Sequence, residues 1–256
     1  MDDIKLVGTL DVTELVFLTF VLFFFGLVVY LRREDRREGY PLEDETTGRL
    51  DTPGGVLLDA GPKTFLMPHG RGIVSTPTKG RERVELPATR TFRAAGAPYV
   101  PTGNPLVDGL GPAAWADRAN HPDLDAEGHN RIVPIALAPH ITINPRDPDP
   151  RGYSVIAADG QVAGKISDIW VDRAEHVIRY LEVDTGSAKV LAPMGTAAVQ
   201  ARRSLVVIDA INAADFAGVP GLAAPDRITF YEEERVMAYY GGGYLYANAA
   251  RQDPLI

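Results

Sequence analysis

Cysteine is absent from the 256 residues of this chain, which excludes disulfides, thiolate catalysis and zinc or iron–sulfur centres held by cysteine. Basic residues are in the minority, since 26 Lys and Arg stand against 34 Asp and Glu. An acidic chain lacks the positive field that neutralises phosphates, so we do not expect nucleic acid as a partner. H-E-x-x-H, P-loop, G-x-S-x-G and dinucleotide-binding motifs are also missing, which argues against the enzyme classes that use them.

Proline is missing from the first 40 residues and then becomes frequent, with sixteen of the 20 prolines between Pro41 and Pro150. Each proline removes a backbone donor and fixes φ, so a long helix or a central strand is hard to place there. Large apolar side chains nevertheless recur in the same stretch, which is untypical of a disordered linker. We therefore predict an ordered, irregular segment, residues 39–105, that lies along the membrane surface and a partner.

Charge is absent from residues 15–31, a run of 17 mostly large apolar side chains. At about 1.5 Å per residue the run makes roughly 25 Å of helix, and one further turn at each end reaches the ~30 Å of a hydrocarbon core. We predict one membrane-spanning helix within residues 12–38, preceded by a short outer tail, residues 1–11. A cleaved signal peptide is the alternative, but acidic residues precede the run and no A-x-A site follows it.

Positive charges follow the apolar run and are nearly absent before it, where Lys5 is the only base. The four arginines that follow are Arg32, Arg33, Arg36 and Arg37. Because Lys and Arg are retained on the cytoplasmic side, we expect an outer N-terminus and a cytoplasmic location for residues 32–256. The same arginines suit anionic lipid headgroups, and Tyr40 is expected at the membrane interface. Gly39 is the first helix-stopping residue, so the helix should continue through Arg37.

Short β-branched runs separated by tight turns begin near Tyr153, and the pair Asp159-Gly160 gives a hairpin signal among them. The predicted strands cover residues 154–157, 162–172, 177–184, 189–194, 197–200 and 204–211. This spacing is typical of a small antiparallel sheet or barrel, with a core at about residues 153–212 of a β-rich domain, residues 106–256. The alternation of apolar residues is too imperfect to say which face of the sheet is buried.

A capping box, Thr229-x-x-Glu232, predicts a C-terminal helix over about residues 227–247. Three consecutive glycines interrupt its second half, Gly241, Gly242 and Gly243. Each glycine weakens a helix by about 1 kcal/mol. The run therefore either frays the end of the helix or lets another backbone approach it closely.

Two clusters of ionisable residues can carry chemistry, because carboxylates and imidazoles transfer protons when their pKa values lie near neutrality. The first comprises Asp123, Asp125, Glu127 and His129, which would share one face of an extended chain. The second comprises Asp172, Glu175 and His176, with Arg179 close by in the sequence. A solvated acidic loop and a polar hairpin turn are the plainer interpretations of the same two patterns.

Several motifs together resemble one family, the H subunit of the purple-bacterial photosynthetic reaction centre. In chain order they are RREGYPL (36–42), PKTF (62–65), L-x-P-H-G-R-G (66–72), PTGNP (101–105), DIWVD (168–172) and G-G-x-x-Y-A (242–247). They span nearly the whole chain, and REGYPL directly after a lone membrane span is the most specific of them. The stretch GKISDIWVD (164–172) is also similar to the core of the broader PRC-barrel group.

The resemblance implies a fold and a place in a complex. The fold is a single N-terminal transmembrane α-helix and a mainly-β cytoplasmic domain, a PRC-barrel-like small antiparallel barrel, with an irregular proline-rich segment and a C-terminal helix. Such subunits cap the L and M subunits from the cytoplasm, with the N-terminus in the periplasm. L and M hold the bacteriochlorophylls, bacteriopheophytins, quinones and non-haem iron, and this chain would bind no cofactor by itself. A cytochrome subunit, a light-harvesting ring and membrane lipids are further expected partners.

The resemblance also implies roles for the two clusters in delivering protons to the secondary quinone. Asp125 and His129 match the family's proton-uptake point, whereas Glu127 stands where a second His is usual. A carboxylate can still pass protons, but a metal site using Asp125 and His129 becomes less certain without that imidazole. Asp172 and Glu175 match the inner part of the family's path, which implies that Glu175 is partly buried near Arg179, a supporting charge.

Two other functions remain open from the residues alone. A membrane-anchored PRC-barrel module could act as a scaffold or adaptor, although the acidic charge and the long family-like middle count against it. A membrane-tethered hydrolase could use Asp125, Glu127 and His129 on a metal, but no hydrolase motif accompanies them. We therefore expect no catalytic activity from the isolated chain.

Overall fold

The structure of the chain is a computed structural model that describes residues 5–7, 10–37, 42–44, 46–51, 62–76 and 85–251. Tyr40 and its predicted place at the membrane interface lie outside the described residues. The chain divides into two compact units: Met1–Glu85 with Arg90–Pro98, and Leu86–Thr89 with Tyr99–Ile256. Each unit has its own architecture and is described in turn.

The first unit contains one long helix, α1, at Val12–Glu34. Asp11 caps it, because the Asp11 carboxylate accepts the Glu14 backbone N–H (2.7 Å) and the Glu14 side chain accepts the Asp11 N–H (3.3 Å). No residue of α1 is buried, and the helix is long and apolar enough to cross a membrane. The predicted N-terminal apolar helix is confirmed.

The prediction that this helix continues through Arg37 is wrong, since α1 ends at Glu34. The Arg36 and Arg37 backbone N–H groups bond to carbonyls three residues back, so the chain leaves the helix in tight turns. At this end of the helix, the Glu34 carboxylate accepts from the Arg37 guanidinium (2.8 and 3.0 Å) and from the Lys63 ammonium group.

The rest of the described first unit contains short strands of two or three residues: β1 Lys5–Val7, β2 Leu10–Asp11, β3 Leu42–Glu43, β4 Leu50–Asp51, β5 Thr64–Leu66 and β6 Ile73–Ser75. They pair as three antiparallel hairpins, β1 with β2, β3 with β4 and β5 with β6. Two further short strands follow in the chain, β7 Ala88–Arg90 and β8 Tyr99–Pro101. Among the side chains described in the first unit, only that of Ala97 is buried.

A seven-stranded sheet organises the second unit: β9 Ile132–Pro134, β10 Ser154–Ile156, β11 Val162–Asp172, β12 Val177–Asp184, β13 Lys189–Pro193, β14 Ala197–Gln200 and β15 Leu205–Ile208. The strand order is β13-β12-β11-β10-β15-β14, with β9 also on β11. All pairs are antiparallel except β10 with β15, so one parallel pair departs from the predicted antiparallel pattern. The strand bounds otherwise follow the prediction closely.

The sheet curls on itself, because its two edge strands are consecutive in the chain. A single 3₁₀ turn, Met194–Thr196, joins the end of β13 at one edge to the start of β14 at the other. Three residues span little more than 10 Å, so the edges must lie near each other. Among the described residues the edges share no ladder, which leaves a curled, open sheet consistent with the predicted small barrel.

A C-terminal helix, α3 at Phe230–Tyr246, packs into the same core, and a one-turn helix, α2, lies at Pro105–Asp108. The predicted capping box is present, with Thr229 and Glu232 bonded reciprocally at 2.8 and 3.1 Å. The glycine run allows close approach: a Cβ at Gly242 would lie 2.4 Å from the Ala113 Cβ, and one at Gly243 would lie 2.5 Å from the Ala210 carbonyl oxygen. The helix continues unbroken through these glycines.

Candidate functional site

The pairing of β9 with β11 brings the two predicted clusters together. The antiparallel register places Ile132 opposite Asp172, and the Arg173 N–H donates to the Arg131 carbonyl (2.9 Å). Arg131, directly before β9, therefore lies beside the turn that follows β11. Residues 41 positions apart in the chain form one site.

Arg131 binds three carboxylates, one from the first cluster and two from the second. Its Nε donates to Asp172 (2.9 Å to Oδ2), its Nη1 to Asp123 (3.2 Å) and its Nη2 to Glu175. The hydrogen bond to Asp172 is the largest cause of a raised pKa for Arg131, with Glu175 and Asp123 adding to it. Arg131 is a permanent cation that fixes three acids around one guanidinium.

Asp172 is the buried member of this network, with 1% of the residue exposed. Its Oδ1 also accepts the backbone N–H groups of Ala174 (2.9 Å) and Glu175 (3.0 Å), which builds the turn after β11. Burial by itself would raise the pKa of Asp172, but Arg131 and the two N–H donors outweigh it and lower the pKa. Asp172 is thus held ionised.

The chain by itself neither buries Glu175 nor pairs it with Arg179, so its burial stays a prediction for the complex. The Glu175 side chain is 56% exposed, and its described partner is Arg131. The Arg179 guanidinium instead lies 3.7 Å from the carboxylate of Glu233 on α3. Arg131 takes the place because β9 returns along β11, a long-range pairing that the local sequence around Glu175 does not reveal.

Glu233 is a functional candidate that sequence reasoning missed, since acids in the first turn of a helix are ordinarily explained by the helix dipole. Its side chain is mostly buried, and the Tyr180 hydroxyl donates to it at 2.9 Å. Burial raises the pKa of Glu233, while Tyr180 and Arg179 oppose the shift and the nearby charge of Asp123 adds to it. In Glu233, unlike Asp172, burial outweighs the opposing contacts, so the net effect favours the protonated carboxyl group.

The first cluster is a closed turn rather than an extended strand, so its four side chains do not share one face. The Asp125 Oδ1 accepts the backbone N–H groups of Glu127 (3.1 Å) and His129 (2.8 Å), and Gly128 takes a φ of +88°. His129 Nδ1 lies 3.4 Å from Asp125 Oδ2. Burial favours a higher pKa for Asp125, but the His129 N–H and the imidazole prevail and lower that pKa.

A cavity of about 540 Å³ lies between this turn and the turn that follows β11. Asp125, Glu127 and His129 line one part of it, and Arg173 and His140 line another. The ring of His140 lies 5.9 Å from that of His176, although neither His140 nor this pairing was predicted from the sequence. Three of the predicted site residues thus open onto the same space as the turn after Asp172.

Among the described residues, no group of three or more His, Asp or Glu side chains is placed to hold a metal ion. Asp125 and His129 form only a pair, so metal binding there stays a prediction. The roles of Arg32, Arg33 and Arg36 at lipid headgroups are untested, and Arg37 is engaged with Glu34.

Two protein-family models match successive parts of the chain. The model for the photosynthetic reaction centre H-chain N-terminal region matches residues 4–137, just over half of the 256 residues. The model for the PRC-barrel domain matches residues 146–214, which contain β10 to β15. The order agrees with an N-terminal apolar helix followed by a curled, mainly-β domain. The chain therefore belongs to the family of photosynthetic reaction centre H subunits.

Proposed function

We propose that this chain caps the L and M subunits on the cytoplasmic side and conducts protons to the secondary quinone. As an H subunit it is a structural, membrane-associated component, and the family implies association with L and M in a complex that carries pigments and quinones. A quinone that takes up two electrons must also take up two protons, and its site is closed to water. The contact of Arg131 with three carboxylates supports the proposal most strongly, because it links the surface turn to β11.

Proton uptake would begin at the cavity lined by Asp125, Glu127 and His129. His129 is largely exposed and can exchange protons with bulk water, while the neighbouring Asp125 is fixed in its turn by two backbone donors. Glu127 would share the exchange, taking the place of the second imidazole usual in the family. Arg173 also lines this cavity, and it would connect the cavity to the turn that carries the second cluster.

The inner part of the path would use the members of the Arg131 network differently. Asp172 is held ionised by Arg131, so it acts as a fixed negative charge that positions Arg131 and the turn. Glu175 is the carboxylate that reaches outward from that turn, and we propose that it faces the L and M subunits and hands protons on. Glu233, whose pKa is raised by burial, would hold a proton beside the network.

The proposal also includes the surfaces that this chain covers and its orientation in the membrane. Residues 39–105 would lie partly along the membrane surface and partly over L and M, where they would help to shield the primary quinone, and residues 106–256 would form the cytoplasmic domain. The arginines after α1 support a periplasmic N-terminus and suit anionic lipid. A cytochrome subunit and a light-harvesting ring would share the membrane with the complex.

Replacement of Glu175 by Gln tests proton conduction. In the assembled complex, Glu175→Gln should slow the second electron transfer to the secondary quinone by roughly tenfold or more, because that step is coupled to protonation. The first transfer should change little. Asp226→Asn removes a similarly exposed acid, paired with Arg227, and is the control. Equal flash-induced rates in variant, control and parent would leave Glu175 as a structural acid.

Proteolysis tests the orientation separately. In sealed vesicles with the cytoplasmic side outward, added protease should cut residues beyond Gly39 wherever partners do not shield them. Fragments detected with an antibody to the C-terminal helix would report the cuts. Cleavage only after the opposite membrane face is exposed would overturn the orientation.

A further inference from the structure

The hairpin formed by β5 and β6 carries large apolar side chains that the described first unit leaves uncovered. Leu66 is 83% exposed and Ile73 is 71% exposed, while Phe65 and Val74 are about half exposed. The register pairs Phe65 with Val74 and Leu66 with Ile73. Four apolar side chains therefore form two adjacent cross-strand pairs.

These two pairs point to opposite faces of the hairpin, because successive residues of a strand alternate. The next pair toward the base, Thr64 with Ser75, carries hydroxyls, so the apolar character increases toward the connecting turn. A hairpin that rests on one protein surface needs an apolar pair on one face only. Apolar pairs on both faces instead suit a hairpin whose end is surrounded by an apolar medium.

A two-stranded hairpin is marginally stable in water by itself. This one is held at its base by Thr76, whose Oγ1 accepts the Lys63 N–H (3.0 Å) and whose N–H donates to the Lys63 carbonyl (2.9 Å). Its apolar end is closed by the Met67 N–H, which donates to the Gly72 carbonyl (2.8 Å), but the four apolar side chains there stay half exposed or more. An exposed apolar end of this kind suits an external apolar medium.

An ion pair sets the level of the hairpin relative to α1. The Lys63 ammonium group contacts the carboxylate of Glu34, the last residue of the helix. Glu34 follows the last apolar residue of the span, Leu31, by three residues, which is about 4.5 Å of helix. If α1 crosses the membrane, Glu34 and the base of the hairpin lie at the headgroup layer.

We propose that residues 63–76 form a second membrane anchor, a hairpin seated in the lipid interface beside the cytoplasmic end of α1. Leu66, Ile73, Phe65 and Val74 would contact the upper acyl chains, and Lys63 with Glu34 would remain among the headgroups. The connecting turn contains Arg71, whose charge matches anionic headgroups. The proposal depends on α1 as a membrane span and is independent of proton conduction.

Spin labels in the assembled complex test it, and the absence of native cysteine makes each label unique on this chain. A nitroxide is placed at Leu66→Cys or Ile73→Cys, and the complex is reconstituted in vesicles of phosphatidylcholine and phosphatidylglycerol. Leu22→Cys in α1 gives the lipid reference. Val162→Cys, an apolar residue of β11 that is 62% exposed, gives the water reference.

Collision with oxygen and with a water-soluble nickel chelate then separates three outcomes. The proposal expects oxygen access close to that at position 22, with nickel access several-fold below that at position 162. Nickel access equal to the water reference would overturn it and leave the hairpin in solvent. Low access to both reagents would also overturn it and would place the hairpin against protein partners. Slowed electron transfer in Glu175→Gln does not depend on any of these outcomes.

Discussion

The two units of this chain bury their apolar residues in opposite ways. In the first, α1 and the hairpin of β5 and β6 direct large apolar side chains outward, and Ala97 is the only described side chain that is buried. In the second, Trp170, Tyr180, Phe216 and Tyr240 are all fully buried between the sheet and α3. The second unit therefore supplies its own core, whereas the first leaves its described large apolar side chains exposed on the chain by itself.

Deleting one large apolar side chain in each unit should give the largest contrast. Trp170→Ala should lower the free energy of unfolding by about 3–5 kcal/mol, because it removes a fully buried ring from the core. Leu66→Ala, at an exposed position, should change it by less than about 0.5 kcal/mol. Denaturant unfolding of the full chain in mild detergent measures both. Trp115, the other tryptophan, remains as the fluorescent probe in the first variant.

Equal losses for the two variants would break the comparison, since they would mean that the hairpin belongs to the cooperative core. A loss for Leu66→Ala that appears only in lipid would sharpen it instead. In that case the surrounding medium, and not the fold, stabilises the hairpin.

Replacing one glycine by alanine in each of the two long helices, α1 and α3, should give a smaller difference in stability between the units. Gly243→Ala should destabilise the fold by about 1–3 kcal/mol, because its Cβ would meet the Ala210 carbonyl oxygen at 2.5 Å. A Cβ at Gly26 meets nothing within 4 Å, so Gly26→Ala should change helix stability by no more than about 1 kcal/mol. Far-UV circular dichroism during denaturation of the full chain compares them. If Gly26→Ala weakens only the assembled complex, a partner helix contacts α1 there.

Local patterns in the sequence predicted most of the second unit. The bounds of β11, β12 and β14 follow directly from β-branched runs between turn residues, and the capping box predicted the start of α3. The parallel pairing of β10 with β15 and the return of β9 along β11 were missed. Both are contacts between distant segments, and no local periodicity encodes them.

The candidate site was predicted only in part for the same reason. The sequence singled out Asp125, His129, Asp172 and Glu175 as acids and imidazoles with suitable chemistry. It could not identify Arg131 as their common partner, because that contact depends on the register of β9 and β11. Glu233 was missed because its burial against Tyr180 comes from the packing of α3 on the sheet. Residue types indicate the chemistry that a site can perform, but only the fold shows which of these residues contact one another.

The smallest expected effect concerns Glu233, whose carboxyl group is mostly buried in the second unit. The folded state raises the pKa of Glu233 above its ordinary value of 4.5 by burial, so folding favours the protonated carboxyl. This contribution to stability is complete below the unfolded pKa and is lost as pH rises through the folded pKa. Glu233→Gln keeps an acceptor for the Tyr180 hydroxyl but cannot ionise. The variant should therefore gain stability relative to the parent as pH rises above 4.5, by under about 1 kcal/mol.

Tyr180→Phe gives the matching variant in the opposite direction. It removes the hydroxyl that donates to Glu233 at 2.9 Å and opposes the shift, so the pKa of Glu233 should rise further. The loss of stability with rising pH should then steepen, whereas it disappears in Glu233→Gln. Denaturant midpoints of the full chain between pH 4 and pH 8 distinguish the two slopes. Parallel pH profiles for parent and both variants would mean that Glu233 is not the buried acid that titrates in this unit, and its proposed role as a proton holder would fall with that result.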